Sequence, residues 1–322
     1  MCGVVKRSSL AAVALASLVI VAPVDASGSA ADLGSCEYVE AGPPGPVGNR
    51  LEVVASSSQL EIFRKGERIL VRSPGSNCGK VTATVTNLDA IVLRGESVVI
   101  DERGGLFAPG AGGERGEGEI EISVYGERLI LEGTPRRDGI AAATLADGQI
   151  AIDVNHGSEG PSDYDIGLGE GIPKVLMLKG AEGADGVDAT KLTGMGDPWL
   201  KHVIRLFGDD GDDVILGGAG AEFRISDGRG DDLVRAGAGD DSVTLGRGRD
   251  TVYGGTGDDE ISYDVFERFT GTPADPSDRL FGGLGNDYLG DVNRHSDLLR
   301  CGPGHDRAEP ESHDRPAADC ER

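Results

Sequence analysis

From Gly208 to Ser262 the chain repeats a nine-residue unit, and no other feature narrows its fold so far. The copies read GDDGDDVIL from Gly208, GGAGAEFRIS from Gly217 with one extra residue, and DGRGDDLVR from Asp227. AGAGDDSVT from Ala236, LGRGRDTVY from Leu245 and GGTGDDEIS from Gly254 complete the run. Each copy has Gly at its fourth place, Asp (once Glu) at its sixth, and an aliphatic residue two or three positions later. A unit this short cannot enclose a core by itself, so its single inward side chain must stack on that of a neighbouring copy. Glycine loses the most entropy on ordering, and neighbouring aspartates repel. Something outside the polypeptide has to offset both.

A small hard cation meets that need. Calcium takes six to eight oxygens, carboxylate and backbone carbonyl alike. Glycine-rich turns tolerate positive φ and the close approach of adjacent backbones. The expected turn glycines are Gly208, Gly211, Gly217, Gly218, Gly220, Gly230, Gly239, Gly248, Gly254, Gly255 and Gly257. The sixth-place carboxylates are Asp213, Glu222, Asp232, Asp241, Asp250 and Asp259. With two copies per coil, alternate copies fall on the same side. Asp213, Asp232 and Asp250 then form one column and Glu222, Asp241 and Asp259 the other. Ile215, Ile225, Val234, Val243, Val252 and Ile261 fill the interior.

These nonapeptides resemble the haemolysin-type, or RTX, calcium-binding repeat, whose motif is GGxGxDxUx with U a large aliphatic. Gly254 to Ser262 matches it at every defined place, while other copies often lack the first Gly. The resemblance implies a right-handed parallel β-roll, each nonapeptide giving a calcium-binding turn and a short strand. The pattern pauses over residues 263–277, read as an insertion looping off the roll. It resumes in DRLFGGLGNDYL, with Asp278, Gly282, Gly283, Gly285 and Asp287, and continues weakly at Asp297 and Asp306. The tail over residues 310–322 is too polar to add a coil and reads as a cap.

Ahead of the roll, residues 27–200 read as short strands separated by Gly, Pro and Asp turns. LEIFRKGERILV from Leu60 predicts a hairpin, and VTATVT from Val81 a strand. GAEGADGV around Asp185 and GTPRRDGI from Gly133 look like eroded repeats, Asp185 being a weaker metal candidate. The expected fold is therefore all-β: degenerate solenoid coils over 27–200, then a calcium roll over 201–309. A separate β-sandwich over residues 36–130 is the alternative.

The first 26 residues carry Lys6 and Arg7, an apolar run from Leu10 to Val21, and small residues at Val24 and Ala26. That is the pattern of a cleaved secretory signal, and it predicts a secreted, extracellular protein. Beyond it stand Cys36, Cys78, Cys301 and Cys320, an even number that predicts disulfides. Of three pairings, Cys36–Cys78 with Cys301–Cys320 is expected, because the others tie distant ends together.

Acidic residues number 55 against 31 Lys and Arg, a formal net charge of −24, which repels nucleic acid and anionic membranes and attracts cations. No GxSxG elbow, HExxH, P-loop or dinucleotide fingerprint occurs. The expectation is a binding protein without catalytic residues. A surface adhesion or spacer component, with a glycan or protein partner, is one alternative. A polysaccharide-modifying enzyme is another, disfavoured by an aromatic content of 4%.

Overall fold

A computed structural model describes residues 35–39, 50–55, 59–66, 68–72, 90–105, 107, 120–145, 148–154, 165–169, 173–193, 203–219, 223–263, 277–290, 295–310 and 312–321. Every regular element among them is a β-strand, and none of their segments is a helix long and apolar enough to cross a membrane. The strand predicted from Val81 lies outside the described residues, as do Glu222, Gly220, Cys78 and the side chain of Cys36.

The leader contributes β1 (Ser35–Val39), β2 (Arg50–Val54), β3 (Leu60–Lys65), β4 (Arg68–Arg72), β5 (Ala90–Arg94), β6 (Ser97–Asp101), β7 (Glu121–Tyr125) and β8 (Arg128–Glu132). It continues through β9 (Gly139–Thr144), β10 (Ile150–Val154), β11 (Ile166–Leu168), β12 (Val175–Glu182) and β13 (Gly186–Lys191). The repeats form β14 (Val203–Asp210), β15 (Val214–Leu216), β16 (Phe223–Arg229), β17 (Leu233–Ala238), β18 (Ser242–Leu245), β19 (Thr251–Thr256) and β20 (Glu260–Tyr263). After the interruption come β21 (Arg279–Leu284), β22 (Tyr288–Gly290), β23 (Leu298–Arg300), β24 (Arg307–Glu309) and β25 (Arg315–Pro316).

These strands build two sheets, of 14 and 11 strands, and the chain alternates between them. Strands one coil apart pair in parallel, which makes the molecule a parallel β-solenoid from leader to tail. The described strands between Ser35 and Glu132 belong to those same two sheets rather than to a separate sandwich.

The alternation of side chains across a strand decides the interior. In one sheet Ile215 pairs with Val234, Val234 with Val252, Val252 with Leu280 and Leu280 with Leu299. In the other, Leu206, Ile225, Val243, Ile261, Leu289 and Ala308 follow one another in register. All are buried. Several leader strands bury two large residues, as β5 does with Ile91 and Leu93 and β8 with Leu129 and Leu131. In the roll the second inward place shrinks to Ala236, Gly254 or Gly282. Apolar burial is thinner there, and the turns must supply more of the cohesion.

Three features depart from the sequence reading. Leader coils are longer than the spacing of about 20 residues between predicted strands implied: Ile122 pairs with Ile91, 31 positions earlier (122 − 91). Next, β10 runs antiparallel between β9 and β11, so two extra strands separate β7 from β9 in one sheet. In the other sheet β8 pairs directly with β12. The tail, thirdly, does add to the roll. β25 pairs in parallel with β23, and Cys301 bonds to Cys320, because Asp314 supplies the carboxylate that the next coil requires. Tyr263, read as the first residue of the insertion, instead ends β20 with its side chain buried.

The fourth-place glycines do what their place demands. Gly211, Gly230, Gly239, Gly248, Gly257 and Gly285 have φ between 119° and 155°, where L side chains are strained. Gly257→Ala would also drive a methyl into the carbonyl of Gly239 in the adjacent coil, whereas a methyl at Gly139 meets nothing within 4 Å. Gly257→Ala is therefore expected to cost about 2–4 kcal/mol and Gly139→Ala under about 1 kcal/mol. Thermal unfolding of the two variants in saturating calcium measures the difference.

Candidate metal centre

Each sixth-place aspartate follows a turn of glycines, and its main chain and carboxylate point to opposite neighbours. The N–H of Asp213 donates to Oδ1 of Asp232 at 2.7 Å, and that of Asp232 to Oδ1 of Asp250 at 2.9 Å. The line extends upstream through Asp185 to Asp138, both at 2.7 Å, and downstream through Asp278 and Asp297 to Asp314. On the other side Asp241, Asp259, Asp287 and Asp306 are joined in the same way, each at 2.9 Å. Fifth-place residues form an outer ladder of opposite direction. The N–H of Asp231 donates to Asp212, that of Arg249 to Asp231 and that of Asp258 to Asp240. The adjacent aspartates that looked merely repulsive in sequence are thus each a rung, one inner and one outer.

One oxygen of each inner carboxylate is used in this way and the other is not. Among the described residues, Oδ2 of Asp185, Asp213, Asp232, Asp250, Asp259, Asp287, Asp297 and Asp306 is buried with no hydrogen-bond donor. A buried ionised oxygen without a partner costs several kcal/mol, so a row of them is stable only with protons or cations.

The first-place glycines explain what else lies there. A methyl on Gly254 would fall 2.5 Å from Oδ2 of Asp259 and 2.6 Å from the carbonyl oxygen of Gly282. One on Gly282 would fall 2.5 Å from Oδ2 of Asp287 and 2.6 Å from the carbonyl of Cys301, and Gly180 sits in the same way before Asp185 and Gly208. Carboxylate and carbonyl oxygens from successive coils converge on a space that only a missing side chain keeps open. This donor set, all oxygen with paired negative charge, suits calcium.

Two turns satisfy the free oxygen from the protein instead. Thr134 donates its N–H and its hydroxyl to Asp138, and the Tyr263 hydroxyl donates to Oδ2 of Asp278. Asp314, Tyr263 and Asp227 are not among the residues that the sequence singles out, and Asp138 enters there only as the aspartate of the eroded repeat from Gly133, not as a ligand. Asp314 follows from counting one more coil into the tail. Asp227 had no signal in the motif, for it stands where the motif has glycine.

Burial holds these carboxylates to their protons. It pushes Asp185, Asp213 and Asp259 up to about 7 and Asp232 to about 6, against the pull of the N–H each accepts, with neighbouring aspartates adding to the rise. Asp227 and Asp250 rise as well, chiefly by burial, then Asp227 by the charge of Asp232 and Asp250 by that of Asp227. Between about pH 4 and pH 7 the folded chain without metal binds more protons than the unfolded chain, so its stability falls as pH rises. Freed of calcium, the protein is expected to melt at a higher temperature near pH 5 than near pH 7.5. Saturating calcium, which needs the ionised form, reverses that order. Melting curves at both pH values, with chelator and with calcium, read the two signs directly.

A family model described as the RTX calcium-binding nonapeptide repeat matches residues 205–223, 224–261 and 277–289, in four copies. No curated protein and no solved structure showed a significant match. The matched stretch coincides with the turns whose carboxylates and carbonyls converge. Residues 205–289 therefore carry RTX calcium-binding nonapeptide repeats, set in a parallel β-solenoid.

Proposed function

We propose that the protein is exported through its first 26 residues and that its roll completes folding outside the cell, where calcium is abundant. In this reading the chain is a calcium-dependent binding or spacer element and carries no catalytic chemistry of its own. The observation that carries the proposal is the row of buried Oδ2 atoms without donors. At the trace calcium of a cytoplasm these carboxylates repel, and the roll buries too little apolar area to close against that repulsion. RTX repeats are typical of secreted proteins, which supports the compartment.

The energetics are of the right size. Extracellular calcium modules bind with Kd near 10⁻⁴–10⁻³ M, and at about 2 mM calcium a site of Kd about 10⁻⁴ M stabilises the folded state by about 1.8 kcal/mol. A few such sites match the total stability of an ordinary domain. Bound calcium supplies the positive charge that the paired carboxylates lack. The chain's own residues hold it: the sixth-place aspartates of adjacent coils and the carbonyls exposed at first-place glycines.

The test is far-UV circular dichroism of residues 27–322 as calcium is raised from micromolar to millimolar, with magnesium as the control. A cooperative gain of β signal with calcium alone is expected. A spectrum that is fully β in chelator and unmoved by calcium would sink the proposal.

A further inference from the structure

Along the first column the residue heading each turn is Gly133, Gly180 and Gly208, then Asp227, Leu245 and Tyr263. The head of a turn points at the free oxygen of that turn's own sixth-place aspartate, as the distances at Gly180, Gly254 and Gly282 establish. Where the head is Tyr263, its hydroxyl fills the role. Where it is Asp227, a third carboxylate enters. Carboxylate oxygens of Asp227, Asp232 and Asp250 lie within 4.8 Å of one another, and all three residues are buried.

The placement of Asp227 is built rather than incidental. Its Oδ1 accepts the N–H of Gly228 and, across the coil boundary, that of Gly246, both at 2.7 Å. With the side chain clamped at that oxygen and wholly inaccessible to solvent, Oδ2 is left without a donor and aimed into the cluster. Oδ2 of Asp232 and of Asp250 share that state, each Oδ1 being taken by a main-chain N–H. The nearby arginines are engaged on the exterior, Arg229 with Asp210 and Arg249 with Asp231. Three buried oxygens carrying up to three negative charges, with no hydrogen-bond donor among the described residues, are a ligand set suited to a cation.

We propose that Asp227, Asp232 and Asp250 form a cation site distinct from the glycine-headed turns, one that takes a single calcium ion more tightly than any of them. The extra charge is the reason. A glycine-headed turn offers carboxylates from two coils and neutral carbonyls, whereas this turn adds a whole carboxylate held in place before the ion arrives. Ligand charge and rigidity are what set calcium affinity across protein sites. The site sits in mid-roll between β16, β17 and β19, so it ties two successive turns of its column, Asp227–Asp232 and Leu245–Asp250, at the lowest calcium concentrations. The inference rests on the reading of the roll as calcium-binding and adds to it a position the repeat pattern does not encode.

The test is calcium binding by titration calorimetry and equilibrium dialysis on residues 27–322, comparing the unaltered chain with Asp227→Gly. That substitution installs the residue that heads Gly208 and Gly254 turns, so the fold tolerates it. The unaltered chain is expected to hold one ion at least tenfold more tightly than the rest. Asp227→Gly is expected to lose that tight class while the weaker sites and the calcium-driven gain of β signal remain. Asp227→Asn retains the Oδ1 acceptor for Gly228 and Gly246, and it is expected to weaken the same ion at least tenfold. Indistinguishable isotherms for the unaltered chain and both variants would overturn the proposal and leave the roll reading intact. Absence of any calcium binding by the unaltered chain would overturn both.

Discussion

The carboxylate of the sixth-place aspartate does two jobs at once, and the architecture depends on their being done by different oxygens. Oδ1 accepts a main-chain N–H from the adjacent coil and so fixes the stacking of one turn on the next. Oδ2 is left buried without a hydrogen-bond partner. The first job orders the solenoid; the second makes its order conditional on a cation. A turn stabilised wholly by neutral groups would stack without metal, and one stabilised wholly by metal would lack a register. Dividing the two oxygens gives a geometry prepared by hydrogen bonds and closed by charge.

The first place of each turn tunes that condition. Glycine leaves room for carbonyl oxygens and an ion, as at Gly254 and Gly282. A phenol at Tyr263 satisfies Asp278 without metal, and Asp227 supplies a further charge. What looks in sequence like decay of the glycine motif is therefore partly a set of different answers to one buried oxygen. The repeat pattern encodes the requirement and not how each turn meets it.

This is why the sequence was readable in some places and opaque in others. The fourth-place glycines and the column of Asp213, Asp232 and Asp250 follow from backbone constraints that recur every coil, so spacing alone reveals them. The inward line of Ile215, Val234 and Val252 is legible for the same reason. Asp227 was not, since a carboxylate at a glycine place reads as erosion until its distance to Asp250 is known. Nor was the reversal at β10, because its apolar residues match those of an ordinary coil strand. Asp314 was hidden by the polarity of the tail around it, though polarity does not bar a strand whose carboxylate and disulfide attach it to the coil before.

The column also shows where metal dependence begins. Its first member, Asp138, takes both donors from Thr134, and the strands on either side bury Leu129, Leu131 and Ile140. That leader turn can therefore stand on apolar burial and protein hydrogen bonds without a cation. From Asp185 onward the free oxygen has no protein donor until Asp278 meets Tyr263. In a solenoid each coil contacts only its neighbours, so a metal-free coil can serve as the template on which the next is laid. The leader presents that template edge at β8 and β9, which flank Asp138 and stand in register with β12 and β13. Adding a roll coil then costs the ordering of one short segment rather than the nucleation of a sheet. Calcium acts on a step that is small, repeated and local, which is what lets weak sites order a long structure.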